Sequence, residues 1–445
     1  MSRALRFAAA GLLLLCQCGG SASLRAARAG SFTGLSAVVA AEVKRGELDA
    51  SEAVDLARAV LLRDIAAASG DEGATRIRGL AGCARSLDDA LERRAENVDV
   101  VAAAAAMVRL EANLAPREDF VPWASEAPGG PRAAFRPVGA VALWGSEDGE
   151  LRRQLFHDGD QAVRLSALRA AQRAAFADDT DALLEAARVD PYPMARLQAV
   201  RAVGAIGGAR VVLALKDRWA TADTPLREAI ADAWATRASI DTGGRRELSW
   251  AADTQGGAPA IAAAYALVRT ANHALPTPTG PGVENALGVI ERAVKSGVPH
   301  ERIFALSIAP LSVPPLQKAV IEASTDPDEE VALAAISRRL NTDFLHGGAS
   351  TTDRPALIAR LLKAASSAEK MRALVARSAL ARAGAREVRS LLDKDATSPD
   401  AQTRKAAGTA FLALGELPRA AVLAADVDAR VRDSVACSLL VRAGR

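Results

Sequence analysis

Aromatic residues are scarce, at 4% of the 445 residues, although half of the chain is hydrophobic. The apolar content therefore comes from Ala, Leu and Val. That mixture suits closely packed helices and argues against a β-sandwich. Histidine is equally sparse. His157, His273, His300 and His346 lie far apart, and none pairs with Cys or a carboxylate at metal-ligand spacing. There is no His-Glu-x-x-His, no Cys-x-x-Cys and no Walker-type phosphate loop. No block of one charge sign stands out either. Lys and Arg number 56 against 53 Asp and Glu, a net charge of +3, so a nucleic-acid partner is not implied. No apolar run is long enough to span a bilayer. The longest candidate, Phe7 to Leu15, is half the necessary length.

What the chain does contain is a repeated unit. Asp160-Gln-Ala-Val163-Arg164-Leu-Ser-Ala167-Leu-Arg-Ala170 recurs as Pro193-Met-Ala195-Arg196-Leu-Gln-Ala199-Val-Arg-Ala202, with the two arginines 32 residues apart. A third copy follows at Thr224-Pro225-Leu226-Arg227-Glu-Ala229-Ile230. Related copies surround Val331, Arg372, Arg404 and Arg432, and the copy at Val331 has Ala332 where the others have Arg. Such a period implies stacked supersecondary units, each touching only its neighbours. Alanines at +3 and +6 from each Arg lie on one helical stripe and let neighbouring helices approach closely. The Asp before each unit can cap its helix. The Arg can bond a carboxylate or carbonyl of the adjacent repeat. These are structural roles for Asp160 and Arg164, Asp400 and Arg404, and Asp428 and Arg432.

An acidic turn, Val-Arg, then alanines ending in Ile206-Gly207 resembles the first helix of a HEAT repeat, of the short phycobilin-lyase type. The resemblance is clear over residues 132–240 and 320–445. It implies an all-α fold: a right-handed α-solenoid of stacked helical hairpins, a HEAT-like or armadillo-type superhelix. It also implies a scaffold or docking surface in place of catalysis. No cofactor, metal or small molecule is expected, and no catalytic residue is named. Asp158 and Asp160 beside His157 can be drawn as an acid–base group. They fall, however, on the inter-helix turn where every repeat carries acidic residues.

The N-terminus reads as a targeting signal: Arg3 and Arg6, the apolar stretch to Leu15, then Cys16-Gln-Cys18-Gly-Gly. This resembles a bacterial lipoprotein signal, which implies lipidation at Cys18, with Cys16 as the alternative. Cleavage without lipid, near Gly20-Ser-Ala22 or Ala27-Arg-Ala29, is the other reading. Only Cys83 and Cys437 remain beyond it. They sit among small residues near opposite ends of the expected stack, so both are expected buried and no disulfide is expected between them.

The expected organisation is as follows. Residues 1–18 form a lipoprotein-like signal peptide and 19–31 a flexible tether. Residues 32–115 are N-terminal helical hairpins, irregular repeats or a cap, and 116–131 a Pro/Gly-rich linker holding Trp123, which folds back on a neighbouring helix. HEAT-like repeats occupy 132–240, opening at Arg132. Irregular helical repeats with long loops fill 241–345, with interruptions at Asp241 to Pro259 and Pro276 to Pro281. C-terminal HEAT-like repeats complete 346–445. The functional expectation is an exported, membrane-anchored scaffold that binds protein partners in the cell envelope, facing the periplasm or the cell surface; a soluble exported form is the alternative. The competing reading is a lyase-type enzyme or maturation factor with a ligand in the concave groove. HEAT-like DNA glycosylases supply a third, which the signal and the charge oppose.

Overall fold

The computed structural model describes residues 21–29, 34–271 and 277–444, and every regular element among them is a helix. The chain forms two compact units. The first combines both ends of the chain, up to Leu114 and from Gly384 onward, and the second is Ala115–Ala383.

The second unit is a ladder of helical hairpins, a solenoid of the expected class. Its first helices are Arg136–Ala142, Gln161–Ala174, Pro193–Ile206, Thr224–Trp234, Gly257–Arg269, Pro299–Ile308, Glu329–Asn341 and Lys370–Arg382, and each packs on the next. Second helices, among them Gly149–Leu155, Thr180–Val189, Ala209–Trp219 and Arg354–Ala365, each pack on the first helix that follows. The stripe of small residues explains the close stacking. Ala167, Ala170, Ala199 and Ala202 are fully buried. At Gly204 an added Cβ would sit 2.5 Å from the Cβ of Ala233 on the next first helix. The hairpin then turns at Gly207, whose φ of 69° disfavours any residue with a Cβ.

An arginine–aspartate ladder runs through these contacts. The Arg164 Nε donates to Asp190 in the next turn at 3.1 Å, while its Nη1 reaches back to the carbonyls of Asp158 and Gly159. Arg196 donates to the Asp190 carbonyl at 2.8 Å. The aspartates cap as the sequence implies, with Asp160 accepting from Ala162 N and Asp223 from Leu226 N. One rung is out of register with the sequence reading. Arg136, not the exposed Arg132, pairs with Asp158. Pro137 lies in the first turn of that helix and delays its start.

Two further expectations are corrected. The interruption expected from Asp241 to Pro259 is mostly helix. A kink at Thr242 and Gly243 leads straight into Arg245–Thr254, which buries Leu248, Ala251 and Ala252, and Gly257–Arg269 follows. The flexible tether expected over residues 19–31 contains the helix Ala22–Ala29, which buries Leu24 and Ala27 and packs on Ala50–Ala67. Its N-terminal amide at Ser23 donates to the buried Glu42 carboxylate at 3.1 Å, and Ser21 N donates to Glu52.

In the first unit, the N-terminal helices Leu35–Arg45 and Ala50–Ala67 pack against the C-terminal helices Leu417–Ala424 and Ala429–Ala443. The ladder continues here. Arg404 pairs with Asp426 at 2.7 Å and reaches the Ser398 carbonyl. Arg432 reaches the Asp426 carbonyl and pairs with Asp64. Arg76 donates to both Asp64 and Asp433. Burial pushes the Asp433 carboxyl above its ordinary range, against the pull of the Arg76 guanidinium.

Cys83 and Cys437 form a disulfide, with Cα atoms 5.4 Å apart across a sequence separation of 354 residues. This overturns the expectation of two free thiols. Burial is as expected, but the argument against a bond assumed that the two ends of the stack stay apart. Here the turn Ala81–Leu87 packs directly on Ala429–Ala443.

Candidate functional site

The lipidation candidates Cys18 and Cys16, and His273, lie outside the described residues. His157 is exposed, and its acidic neighbours are engaged in the fold: Asp158 holds Arg136 and accepts from Asp160 N, and Asp160 caps its helix. Trp123 folds back as expected, making edge-to-face contacts with Phe120 and Phe135 at ring-centroid distances of 4.9 and 4.8 Å. Among the described residues no group of three or more His, Cys, Asp or Glu is placed to hold a metal ion.

The charged side chains of the second helices are partly consumed within the stack. Arg152 is buried and binds the buried Asp179 and the Leu143 carbonyl. Lys216 pairs with Glu247, a fully buried carboxylate. Between Thr180–Val189 and Ala209–Trp219 a cleft of about 460 Å³ remains. Asp181, Glu185 and Asp217 there face Arg188 and Arg218, so its charge is nearly balanced.

A second cleft of about 460 Å³, in the later repeats of the same unit, differs in character. It opens between the first helices Pro299–Ile308, Glu329–Asn341 and Lys370–Arg382, with Leu361 contributing from a second helix. Ile303, Leu333, Met371 and Val375 supply its apolar wall, and Ala334, Ser337, Ala376 and Ala379 its small side chains. Met371 is 65% exposed and Val375 56%, and the two lie one helical turn apart on the same wall of the groove.

Arg338 lines this groove and has no carboxylate in ion-pair contact among the described residues. Its Nη2 donates to the Ala309 carbonyl at the C-terminal end of Pro299–Ile308, at 2.7 Å, and its Nε is buried without an acceptor. Burial lowers the pKa of the guanidinium, with Tyr265 opposing. The arginine keeps its proton and remains an undercompensated cation. Arg382, at the same groove, also makes no ion pair among the described residues, whereas Arg372 is held by Glu329 and Glu369. The sequence reading missed this site. Its one signal was the copy in which Ala332 replaces the arginine.

The first unit has its own cleft, of about 850 Å³, walled by the Arg76–Asp433 pair, Cys437 and the side chains of Lys405, Thr409, Ser438 and Arg442.

A family model for HEAT repeats matches residues 150–235. Paired helices continue through the rest of the second unit, with an arginine–aspartate rung at Arg302 and Asp326. No curated protein sequence matches the chain. Among solved structures, an X-ray structure of Escherichia coli YibA is 14% identical, covering 63% of this chain and 95% of its own at a TM-score of 0.35. A crystal structure of an engineered protein is 17% identical over 74% of this chain and 99% of its own, at a TM-score of 0.29. These scores add nothing to the fold already described. No helix among the described residues is long and apolar enough to cross a membrane.

Proposed function

We propose that this protein is an exported, non-catalytic HEAT-repeat scaffold of the cell envelope, anchored through lipidated Cys18 or, failing that, Cys16. The observation that carries the docking part is the groove of the second unit, where Met371 and Val375 stand exposed beside the undercompensated Arg338. Large exposed apolar side chains next to a cation that lacks a counter-charge are what a partner surface covers. Export is supported separately. A buried disulfide joining segments 354 residues apart in sequence belongs in an oxidising compartment, because cytosolic reductants keep such pairs as thiols.

Two measurements on the full chain with a C-terminal tag test the reading. Cells are first lysed into an alkylating reagent and fractionated. Cys83 and Cys437 should resist alkylation until reduced, and Cys18→Ser should move the protein out of the membrane fraction. Thiols alkylated without reduction would sink export. Crosslinking in intact cells, read by mass spectrometry, should then return one stoichiometric envelope partner. A protein that crosslinks to nothing would end the scaffold reading.

A further inference from the structure

We propose that the groove between Pro299–Ile308, Glu329–Asn341 and Lys370–Arg382 receives an acidic amphipathic helix of a partner protein; the inference rests on the docking reading above and adds the chemistry of the occupant.

The argument begins with periodicity. Met371, Val375, Ala379 and Arg382 are spaced i, i+4, i+8 and i+11, so they share one face of their helix. On the facing helix Leu333, Ser337 and Asn341 repeat at i, i+4 and i+8. Both stripes line the groove, and small side chains stand among the large apolar ones. Small residues let a third backbone come close, as they do throughout this stack.

The occupant's backbone type follows from what the groove offers. Its walls are helices whose peptide groups are already paired within the helix, so an extended segment would find no edge to add to. Recognition must run through side chains, and a helix laying an apolar stripe into the groove does that. The stripe from Met371 to Arg382 covers about 16 Å at the helical rise, or roughly three turns of a partner helix. A small enclosed ligand would leave the outer parts of Met371 and Val375, 65% and 56% exposed, still in water. An apposed helix covers them, and methionine adapts to the shape it meets.

Charge sets the sign. Arg338 and Arg382 lack a carboxylate partner among the described residues and are opposed at the groove by Glu330. The Arg338 guanidinium lines the groove where its hydration is already reduced, so a carboxylate arriving with the helix is favoured. Asp or Glu at the edge of the partner's apolar stripe supplies it.

The test uses the purified full-length protein and fluorescein-labelled helical peptides of 14 residues. They carry Leu at i, i+4 and i+7, flanked by Glu in one peptide and by Gln in the other, and binding is read by fluorescence anisotropy. The Glu peptide should bind at least ten-fold more tightly than the Gln peptide. Arg338→Gln should abolish that difference, and Val375→Ser should weaken both peptides several-fold. Leu213→Ser, an exposed residue away from the groove, should change nothing. Circular dichroism confirms that each variant is folded. Equal binding of the two peptides, or binding indifferent to Arg338→Gln and Val375→Ser, overturns the proposal. So does displacement of the peptide by laurate at comparable concentration, which would assign the groove to a small amphiphile. A photo-crosslinker at position 375 separates the two readings. A cellular partner captured there while the Glu peptide fails leaves docking standing and removes the acidic helix; no partner and no peptide binding removes both.

Discussion

Arg432 donates its Nε to Asp64 at 2.7 Å, and the two residues are 368 positions apart in the sequence. The contact has the same form as the rungs within the repeats. Arg432 also donates to the Asp426 carbonyl six positions before it, as Arg404 does to Ser398 and Arg164 does to Asp158. Asp64 therefore stands where the next repeat's turn aspartate would stand, and the N-terminal hairpin takes the place of the repeat that would follow the last one. A solenoid's terminal repeat must cover its apolar face with something. In the first unit, Ala429–Ala443 is covered by Ala50–Ala67 and the turn at Ala81–Leu87, with the Cys83–Cys437 bond fixing the match.

Asp64→Ala should accordingly destabilise the first unit by about 1–3 kcal/mol, because it takes one charged acceptor from each of two partly buried guanidinium groups, Arg432 and Arg76, while Arg76 keeps Asp433 and Arg432 keeps the Asp426 carbonyl. The two units can be followed separately. Trp123, Trp144, Trp219, Trp234 and Trp250 all lie in the second unit, so tryptophan fluorescence reports it alone, whereas far-ultraviolet circular dichroism reports both. Urea titration of the variant should show an early circular-dichroism phase, with the fluorescence midpoint unmoved. Superimposable wild-type and variant dichroism curves would reject the role given to Asp64.

Much of this was legible from residue spacing, and the failures have specific causes. The helices around Arg164, Arg196 and Arg404 could be read because alanine stripes and capping aspartates recur at fixed positions, and local pattern is enough to set a repeat. Arg136 was missed because Pro137 shifts the helix start, which moves the ladder residue away from the 32-residue register. Gly243 and Gly244 looked like the start of a loop, but Gly243 alone of the two leaves the helical region, at φ 120°, and the helix Arg245–Thr254 resumes at once. The disulfide depends on two chain ends meeting, and no local pattern encodes that. The groove was hidden for a related reason. Arg338 matters through the carboxylate it lacks, and a missing partner becomes visible only once all neighbours are placed.

Glycine offers a paired test of the stacking argument. Gly204→Ala places a Cβ 2.5 Å from that of Ala233 and 2.9 Å from its Cα, so two first helices must separate. The expected cost is about 1–3 kcal/mol, the usual penalty for overpacking. Gly288→Ala, within Val283–Ser296, meets only the flexible end of Arg292 at 3.5 Å. It should be neutral or stabilise by up to about 1 kcal/mol, because alanine favours the helix. Both sites lie in the second unit, so tryptophan-detected urea midpoints decide the matter. Equal shifts for the two variants would show that close helix approach is not what Gly204 provides.

The cap of the last helix should be acid-sensitive in a defined window. The Asp428 carboxylate accepts from Arg430 through both side chain and backbone, which holds its pKa down at about 2, below the ordinary 3.8. A carboxylate whose pKa is lower in the folded state contributes stability that is fully present above the unfolded value and lost as pH falls through the folded one. Asp428→Asn keeps an acceptor for the backbone cap but removes the charge. The wild-type protein should therefore exceed the variant in circular-dichroism Tm at pH 5–7, and the difference should shrink as pH falls from about 4 to about 2. A gap that persists unchanged at pH 2 would mean that Asp428 acts through its shape alone and that its ionised form contributes nothing.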